Sequence, residues 1–374
     1  MTLLLTPEQE ALGRTARDFV RVRLPVARAR ALRGVGYDRE AWRGLAELGL
    51  AGILVPEAHE GAGLGFAELG VVMEELGRTL APVPMLAAAI GASALVLGGS
   101  EAQRRAHLPS MCRGEWVVAL AHQEGTRHAP YNTASRLDRA GDGLVLSGAK
   151  RFVLDAPHAD AFVVVARETG AEDARQGLSV VLVPARTPGV TVSPRRTIDG
   201  RAVGDVALDG VRLDQTALLG VPGGGADLLD RLLDRAAIAL SAEMLGGAAE
   251  VFERTLDYLK TRKQFGVSIG SFQALKHRAA RLFGELELSR SVVLEALRAV
   301  DADRADVPQL ASAAKARLSD TFLACAAEAI QMHGGIGVTE EHDVGLYYKR
   351  ARVAELSFGD AAFHRDRFAR LSGF

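Results

Sequence analysis

Two carboxylates, Asp360 and Glu243, could act as an acid or a base. Asp360 lies in the C-terminal stretch "AELSFGDAAFH", which follows a glycine-rich turn and a helical run. Glu243 lies in a long helical segment, on the apolar face that it shares with Ala239 and Gly246. A carboxylate on such a face resists ionisation unless it is paired. Both residues are therefore candidate catalytic bases, and a buried hydrogen bond or an ion pair between helices is the alternative for Glu243.

Two further motifs could bind a ligand. In "YLKTRKQFGVSIGSFQ", Arg262 closes a long helix at a basic turn, and a guanidinium held there can neutralise a phosphate through paired donors. Capping of the helix dipole and solvation are the alternative. In "QMHGGIG", Gly334 and Gly335 permit close approach of a ligand and Gln331 could offer it an amide, although a plain helix stop has the same pattern.

The residue types that bind metals form no motif. Cys112 and Cys325 each lie in an apolar helical context, which indicates buried thiols in a reducing compartment and hence a cytoplasmic protein. His333 and His364 are interpreted as a helix cap and a surface residue. No group of histidine, cysteine and aspartate has the spacing of metal ligands, so no metal is expected.

Composition excludes several classes of partner. The chain has 374 residues and a formal net charge of −1 without a block of Lys and Arg, so nucleic acid and anionic membrane surfaces are not expected to bind. The N-terminus lacks the pattern of a signal peptide. The uncharged stretch 81–100 is about one bilayer wide. Because Pro82 and Pro84 delay its helix and Gly98 and Gly99 end it, we expect a buried helix and no membrane span.

The order of the secondary-structure signals predicts three regions. Residues 1–115 are helical from "TPEQ" onward, where Thr6 can cap the first helix and Gln9 completes a capping box. Residues 116–220 contain short β-branched runs that predict an antiparallel sheet. Residues 221–374 contain long helical patterns that predict a four-helix-type bundle, so the fold class is α+β multidomain. Helices are predicted near 39–48, 66–80, 85–97, 101–109, 225–261, 271–300, 308–332, 342–357 and 361–371.

The chain resembles the acyl-CoA dehydrogenase family from end to end. The resemblance is carried, in order, by "LTPEQEALGRTARDFV", "WRGLAELGLAGILVPEAHEGAGLGFAELGVVMEELGR", "RKQFG…SFQ" and "QMHGGIGVTEEHDVGLYYKRA". It implies a helical domain, a β domain and a helical bundle assembled as a dimer of dimers with FAD. It also implies that a carboxylate takes the α-proton of an acyl-CoA thioester while the β-hydrogen leaves as hydride to the flavin. Electrons then pass to an electron-transfer flavoprotein.

The resemblance also implies roles for individual residues. Arg262, Phe265, Gln331 and the pair Gly334-Gly335 match positions that contact FAD, largely the FAD of the neighbouring subunit.

The segment that places a tryptophan and a threonine against the flavin in the family reads "KRFVLDA" here. It therefore has Phe152 and Leu154 at those two positions. The apolar wall is kept, and the hydroxyl of the threonine is lost.

Both positions at which the family carries its base lack a carboxylate. In register with the usual tail, Phe358 occupies the position of the glutamate and Asp360 that of a threonine. The second position, at the start of the long helix, is Ala236, followed by Ala237. Asp234 points away from that apolar face and is expected to be a solvated charge.

The leading interpretation is an FAD-dependent acyl-CoA dehydrogenase that desaturates an acyl-CoA and forms a homo- or hetero-tetramer. The alternative is a catalytically degenerate partner subunit that completes the FAD site of a glutamate-bearing homologue. The tail "ELSFGDAAFHRDR" and the segment "RFVLD" are similar to one chain type in heteromeric acyl-CoA dehydrogenases of steroid-degrading actinobacteria. A third possibility is a relative that uses its flavin for oxygen chemistry.

Overall fold

A computed structural model describes residues 4–374 and confirms the predicted fold class, with helices at both ends of the chain and a β region between them. The helices are α1 Pro7–Arg23, α2 Val26–Ala31, α3 Arg39–Glu47, α4 Phe66–Arg78, α5 Met85–Gly98, α6 Glu101–Cys112, α7 Gly225–Thr261, α8 Gln273–Asp301, α9 Val307–His333, α10 Val344–Leu356 and α11 Ala361–Leu371. The strands are β1 Val118–Ala121, β2 Arg136–Ala140, β3 Gly143–Leu154, β4 Ala161–Arg167, β5 Leu178–Pro184, β6 Val190–Arg196, β7 Ala202–Asp214, β8 Leu218–Leu219, β9 Lys263–Gln264 and β10 Val267–Ser268.

The chain divides into two compact units. The sheet unit contains Leu32–Gly65 and Pro82–Ala236, and the helical unit contains the N-terminal segment up to Ala31, Phe66–Ala81 and Ala237–Phe374. The long helix α7 belongs to both units, because it begins in the sheet unit and continues into the helical unit.

The sheet unit is built on one mixed sheet with the strand order β6-β7-β3-β2-β4-β5-β8. Most neighbours are antiparallel, as predicted, but β1 pairs with β4 in parallel, with Val118 opposite Ala161. A parallel pair needs a long crossover, and the hairpin of β2 and β3 lies within that connection. All seven residues of β4 are buried, which is typical of a central strand covered on both faces.

The uncharged stretch near residue 90 forms a buried helix, as predicted. Helix α5 has 14 residues, and those from Met85 to Leu95 are buried. Within residues 4–374, no helix combines the length and the apolarity needed to cross a membrane. The following helix differs from the prediction, because α6 continues through Pro109 and ends at Cys112.

In the helical unit, α4 and α7 cross with their backbones in contact. A methyl group at Gly246 would lie 1.8 Å from the Glu74 carbonyl oxygen, and one at Gly77 would lie 2.0 Å from the Glu243 carbonyl oxygen. Only glycine fits at such separations, because the obstructing atoms belong to the backbone. The two glycines therefore set the distance between α4 and α7.

The central part of α7 is covered on every side. All residues from 232 to 249 are buried, including Asp234, which is only 3% exposed. The prediction that Asp234 is a solvated charge is therefore wrong. Periodicity identified the apolar face of the helix, but it carries no information about what covers the polar face.

The glycine crossing makes a stability prediction. Gly246→Ala should lower the free energy of unfolding by roughly 2 kcal/mol or more, because the added methyl overlaps a backbone oxygen that cannot rotate away. Gly284→Ala is the matched control, since a methyl at this exposed position of α8 meets no atom within 4 Å. The control should gain about 0.5–1 kcal/mol from helix propensity. Urea unfolding measures the free energy of unfolding of both variants. Equal changes in the two variants would contradict a close contact between the backbones of α4 and α7.

Candidate functional site

The turn between α10 and α11 carries Phe358, at the position where the family resemblance leads us to expect the base. Phe358 has a φ of 57° and the following Gly359 has a φ of 101°. The left-handed region costs a non-glycine residue roughly 1–2 kcal/mol. A phenylalanine remains there only when the surrounding contacts hold it.

Two buried side chains hold this turn from inside the helical unit. The Nζ atom of Lys315 donates to the carbonyl oxygens of Gly359 at 2.9 Å and Glu355 at 2.8 Å. The Nε2 atom of His364 lies 3.0 Å from the carbonyl oxygen of Phe358. His364 is 2% exposed, so the prediction of a surface residue is wrong. The contact ties the start of α11 to the carbonyl oxygen of Phe358 in the turn.

Asp360 ends the turn as the N-cap of α11. Its Oδ1 atom accepts a hydrogen bond from the Phe363 amide at 2.8 Å, which satisfies one of the free amides in the first helical turn. The carboxylate is half-buried and lies close enough to Lys315 for the two charges to interact. Asp360 therefore has a structural role beside any role as a base.

Glu243 forms a buried ion pair. Its Oε1 atom accepts from Nε of Arg350 in α10 at 2.9 Å, and both side chains are 7% exposed. Next to Arg350, the Tyr347 hydroxyl donates to the Arg78 carbonyl oxygen at 2.6 Å. These contacts correspond to the alternative considered for Glu243, an ion pair between helices. A carboxylate bound to a guanidinium is stabilised as an anion and is less available to take a proton.

The residues expected to contact FAD in the helical unit lie at the ends of α7 and α9. The Tyr258 hydroxyl donates to the His333 carbonyl oxygen at 3.3 Å, and the two rings stack with their centroids 4.4 Å apart. This contact joins the end of α7, where Arg262 lies, to the end of α9, where Gln331 and Gly334 lie. His333 also bonds the Ala329 carbonyl oxygen within its own helix, in keeping with its predicted position at a helix end.

These residues fit a flavin dinucleotide. The side chains of Arg262 and Gln331 are exposed, and neither has a hydrogen-bond or ion-pair partner among residues 4–374. Methyl groups at Gly334 and Gly335 would meet no atom within 4 Å, so a ligand can approach this backbone. A free guanidinium, a free amide and an open glycine turn are suited to bind phosphate and ring edges.

Phe265 lies at the tip of the β9–β10 hairpin and is 92% exposed. Phe265 and Gly266 both have positive φ, at 52° and 82°, as a two-residue turn of the mirror-image type requires. Phenylalanine is an unusual choice there, because a positive φ normally selects glycine or asparagine. The turn presents an aromatic ring to the outside of the helical unit.

In the sheet unit, Phe152 lies at an irregularity in β3. The register of β3 against β7 shifts between Lys150 and Val153, and Phe152 has a φ of 53°. Its amide donates to Oδ1 of Asp205 at 3.3 Å, and its side chain is 45% exposed. Leu154, two residues later, is half-buried. The bulge thus turns an aromatic side chain outward beside an aliphatic one.

Three of the seven non-glycine residues with positive φ in the described chain are Phe152, Phe265 and Phe358. The family resemblance assigns these three residues to the flavin wall, to a flavin contact and to the position of the base. Three of the positions singled out by the family resemblance therefore have a strained backbone.

A buried ion pair in the sheet unit was missed by sequence reasoning. Oε1 of Glu124, in the loop between β1 and β2, accepts from Nζ of Lys150 at 2.5 Å and from the Ser135 amide at 3.1 Å. Complete burial lowers the pKa of Lys150 to about 8, although Glu124 opposes the shift. Lys150 occupies a buried position in the partly exposed strand β3, where an unpaired lysine would be costly. The position of Lys150 in the strand is the only feature of the sequence that indicated a buried partner for this lysine.

A recess of about 530 Å³ opens beside this pair, lined by Glu124, Lys150 and Ser135 among others. The buried hydroxyls of Ser135 and Thr133 have no hydrogen-bond partner among residues 4–374. Buried hydroxyls are normally satisfied, so the hydroxyl of Ser135, which lines the recess, is a candidate contact for a polar ligand.

Comparison with known protein families gives three matches in chain order. Residues 6–115 match the N-terminal domain, residues 120–211 the middle domain and residues 223–372 the C-terminal domain of the acyl-CoA dehydrogenase profiles.

Two relatives are similar to this chain over nearly its whole length. The probable acyl-CoA dehydrogenase YngJ of Bacillus subtilis is 30% identical and covers 99% of each chain. The acyl-CoA dehydrogenase IpdE2 of Mycobacterium tuberculosis is 34% identical and covers 93% of this chain and 92% of its own.

Two solved structures are similar over almost the full length. A variant of the Tcur3481-Tcur3483 steroid ACAD is 31% identical with a TM-score of 0.89, covering 98% of this chain and 97% of its own. The ChsE4-ChsE5 complex from Mycobacterium tuberculosis is 28% identical with a TM-score of 0.90, covering 100% of both chains.

The ion pair of Glu243 predicts non-additive stability effects. Glu243→Met and Arg350→Met should each lower the free energy of unfolding by about 3–5 kcal/mol, because each leaves a charge buried without its partner. The double variant should lose less than either single variant, since it leaves neither charge behind. Urea unfolding of all four proteins measures the coupling. Additive losses would contradict a direct pair.

Lys315 predicts a pH dependence of stability. Burial lowers its pKa from about 10.5 to about 7, so the unfolded chain binds more protons between these values. The free energy of unfolding of the wild type should therefore rise with pH from 7 to 9 relative to Lys315→Met, by at most about 1.4 kcal/mol per pH unit. Thermal or urea unfolding of both proteins at several pH values measures the difference. A pH-independent difference would show that Lys315 titrates as it does in water.

Proposed function

Because the chain belongs to the acyl-CoA dehydrogenase family, we propose that it is a subunit of an FAD-dependent enzyme that desaturates an acyl-CoA thioester between its α and β carbons. Members of this family are oxidoreductases that bind FAD. Assembly as a dimer of dimers and delivery of electrons to an electron-transfer flavoprotein are part of the same proposal.

The chain's own residues support a role in holding the cofactor. Arg262 and Gln331 offer a guanidinium and an amide that no neighbour in the described chain engages, beside the open backbone of Gly334. Phe152 and Leu154 offer an apolar wall in the sheet unit. FAD, when bound, supplies the acceptor for the hydride that leaves the β carbon. The protein residues orient the ring and exclude water from it.

The α-proton needs a base, and one observation governs its identity. Phe358 occupies the expected position in a turn that is held by Lys315 and His364, so no neighbouring carboxylate can move into its place without breaking those contacts. Glu243 is bound to Arg350, and the use of this carboxylate as a base would require that pair to open.

We therefore propose that a second, homologous chain provides the carboxylate. The chain described here would in turn complete the cofactor site of that partner. Two similar solved structures support a two-chain arrangement, since their names join two proteins, Tcur3481-Tcur3483 and ChsE4-ChsE5. In this arrangement Phe358 fills the position of the missing base with an apolar ring. Arg262 and Gln331 retain their ligand-binding chemistry.

A self-sufficient enzyme with Asp360 as the base is the second candidate. Its support is that Asp360 lies two residues from Phe358, and that the N-cap hydrogen bond uses Oδ1 and leaves Oδ2 outside that bond. An aspartate that served as both helix cap and base would have to remain ionised without leaving the cap. The two candidates differ in whether the chain acts alone.

The proposal is tested by expressing this chain alone and together with a homologue. The homologue should carry glutamate at the position that corresponds to Phe358. The chain alone should not bleach flavin absorbance when an acyl-CoA is added, and the pair should. Replacing the partner's glutamate with glutamine should abolish bleaching, while Asp360→Asn in this chain should change the rate by less than about tenfold, since it alters a cap worth about 1 kcal/mol. Stopped-flow absorbance measures all four samples.

Activity of this chain without a partner would identify the second candidate, the self-sufficient enzyme with Asp360 as its base. A flavin-containing preparation of this chain alone that desaturates an acyl-CoA, and loses that activity in Asp360→Asn, would overturn the two-chain proposal. Glu243→Gln is the additional control for a relocated base. Its effect on rate must be compared at equal folded fraction, because it also weakens the ion pair with Arg350.

A further inference from the structure

The sheet unit contains a second recess, formed where three segments meet. These are the loop 33–36 before α3, residues 157–158 after β3, and the stretch 194–203 that links β6 to β7. The cavity has a volume of about 770 Å³, which is within the range of about 300–1,000 Å³ for small-molecule sites. None of the residues expected to contact FAD lines it.

The lining of this recess is strongly basic. Arg33, Arg195, Arg196, Arg201 and His158 line it, and no aspartate or glutamate of the described residues does. The chain as a whole has a formal net charge of −1, so four arginines around one cavity do not follow from overall basicity.

The nearby carboxylates leave part of this charge uncompensated. Asp205 accepts from Nε of Arg195 at 2.9 Å and neutralises that residue. Asp199 accepts from the Thr197 hydroxyl at 2.5 Å and from the Arg201 amide at 3.1 Å, so it also reduces the local charge. Arg196 is exposed and has no ion-pair or hydrogen-bond partner within residues 4–374.

The walls are held together by backbone contacts that depend on glycine. The Gly34 amide donates to the Gly200 carbonyl oxygen at 2.9 Å and ties two of the three segments together. Gly200 has a φ of 77°, and a methyl group there would lie 2.8 Å from Cβ of Arg33. A methyl group at Gly36 would lie 2.6 Å from Nε2 of His158. The recess is thus preformed by close packing and does not depend on side chains folding over a ligand.

Guanidinium groups in a concave site recognise phosphate through paired hydrogen bonds. Several arginines converge here from different segments, which suits an anion with more than one phosphate. We propose that this recess binds a diphosphate-bearing molecule of nucleotide size, at a site separate from the residues expected to hold FAD. Arg196 is the main contact, Arg201 contributes from the same stretch, and Arg33 contributes from the loop 33–36. The proposal does not depend on the acyl-CoA chemistry.

Calorimetric titration of the flavin-loaded protein with pyrophosphate, ADP and coenzyme A tests this site. We expect ADP to bind, and Arg196→Gln to weaken it by roughly tenfold or more, the usual effect of losing a charged hydrogen bond. Arg212→Gln is the matched control, because Arg212 is also exposed but lies near the other end of β7. Thermal unfolding confirms that both variants are folded.

Comparison of the three ligands shows which kind of molecule supplies the diphosphate. Pyrophosphate binding that is sensitive to Arg196→Gln identifies the diphosphate as the recognised group. Tighter binding of ADP points to a free nucleotide, and displacement of ADP by coenzyme A points to the nucleotide end of the thioester substrate. The proposal is overturned if none of the three binds, or if Arg196→Gln and Arg212→Gln have equal effects on binding.

Discussion

The contact between the backbones of α4 and α7 is the constraint on which the helical unit depends. Gly77 and Gly246 bring the two helices so close that each faces a carbonyl oxygen of the other. This distance brings α10 into reach, where Tyr347 bonds the Arg78 carbonyl oxygen and Arg350 pairs with Glu243. Because α10 leads directly into the turn at Phe358, the position of that turn is set by two residues that have no side chain.

The helical unit contains a set of open ligand-binding groups, and its two candidate carboxylates are not part of that set. The ends of α7 and α9 offer Arg262, Gln331 and an open glycine turn, all suited to an anionic ligand. Both candidate carboxylates are already engaged, since Glu243 is ion-paired and Asp360 caps a helix. The proposed two-chain arrangement requires these two properties of this chain.

Local signals predicted most of the fold. The capping box of Thr6 and Gln9 forms as expected, with the Gln9 amide 3.2 Å from the Thr6 hydroxyl, because both partners lie within one turn of the chain. The helix ends near Gly98 and His333 also agree with the glycines that follow. Periodicity and capping are properties of neighbouring residues, and a single sequence contains them in full.

The features that could not be predicted from the sequence depend on residues distant in the chain or on backbone angles. The burial of Asp234 and His364 follows from elements packed against them, which a helical wheel does not include. Glu124 and Lys150 are 26 residues apart and belong to different strands or loops, so no local pattern joins them. Nothing in the residue type phenylalanine indicates a positive φ, and sequence resemblance identified those three positions without showing that they are strained.

The three strained phenylalanines bear on the evolutionary state of the chain. Glycine at any of these positions would relieve a left-handed conformation that costs a bulky residue roughly 1–2 kcal/mol. Phe152 and Phe265 are largely exposed, so little packing would be lost in exchange. A sequence drifting without selection would therefore be expected to lose these rings early. That all three positions carry phenylalanine in place of glycine points to a function of the rings themselves and not of the local backbone.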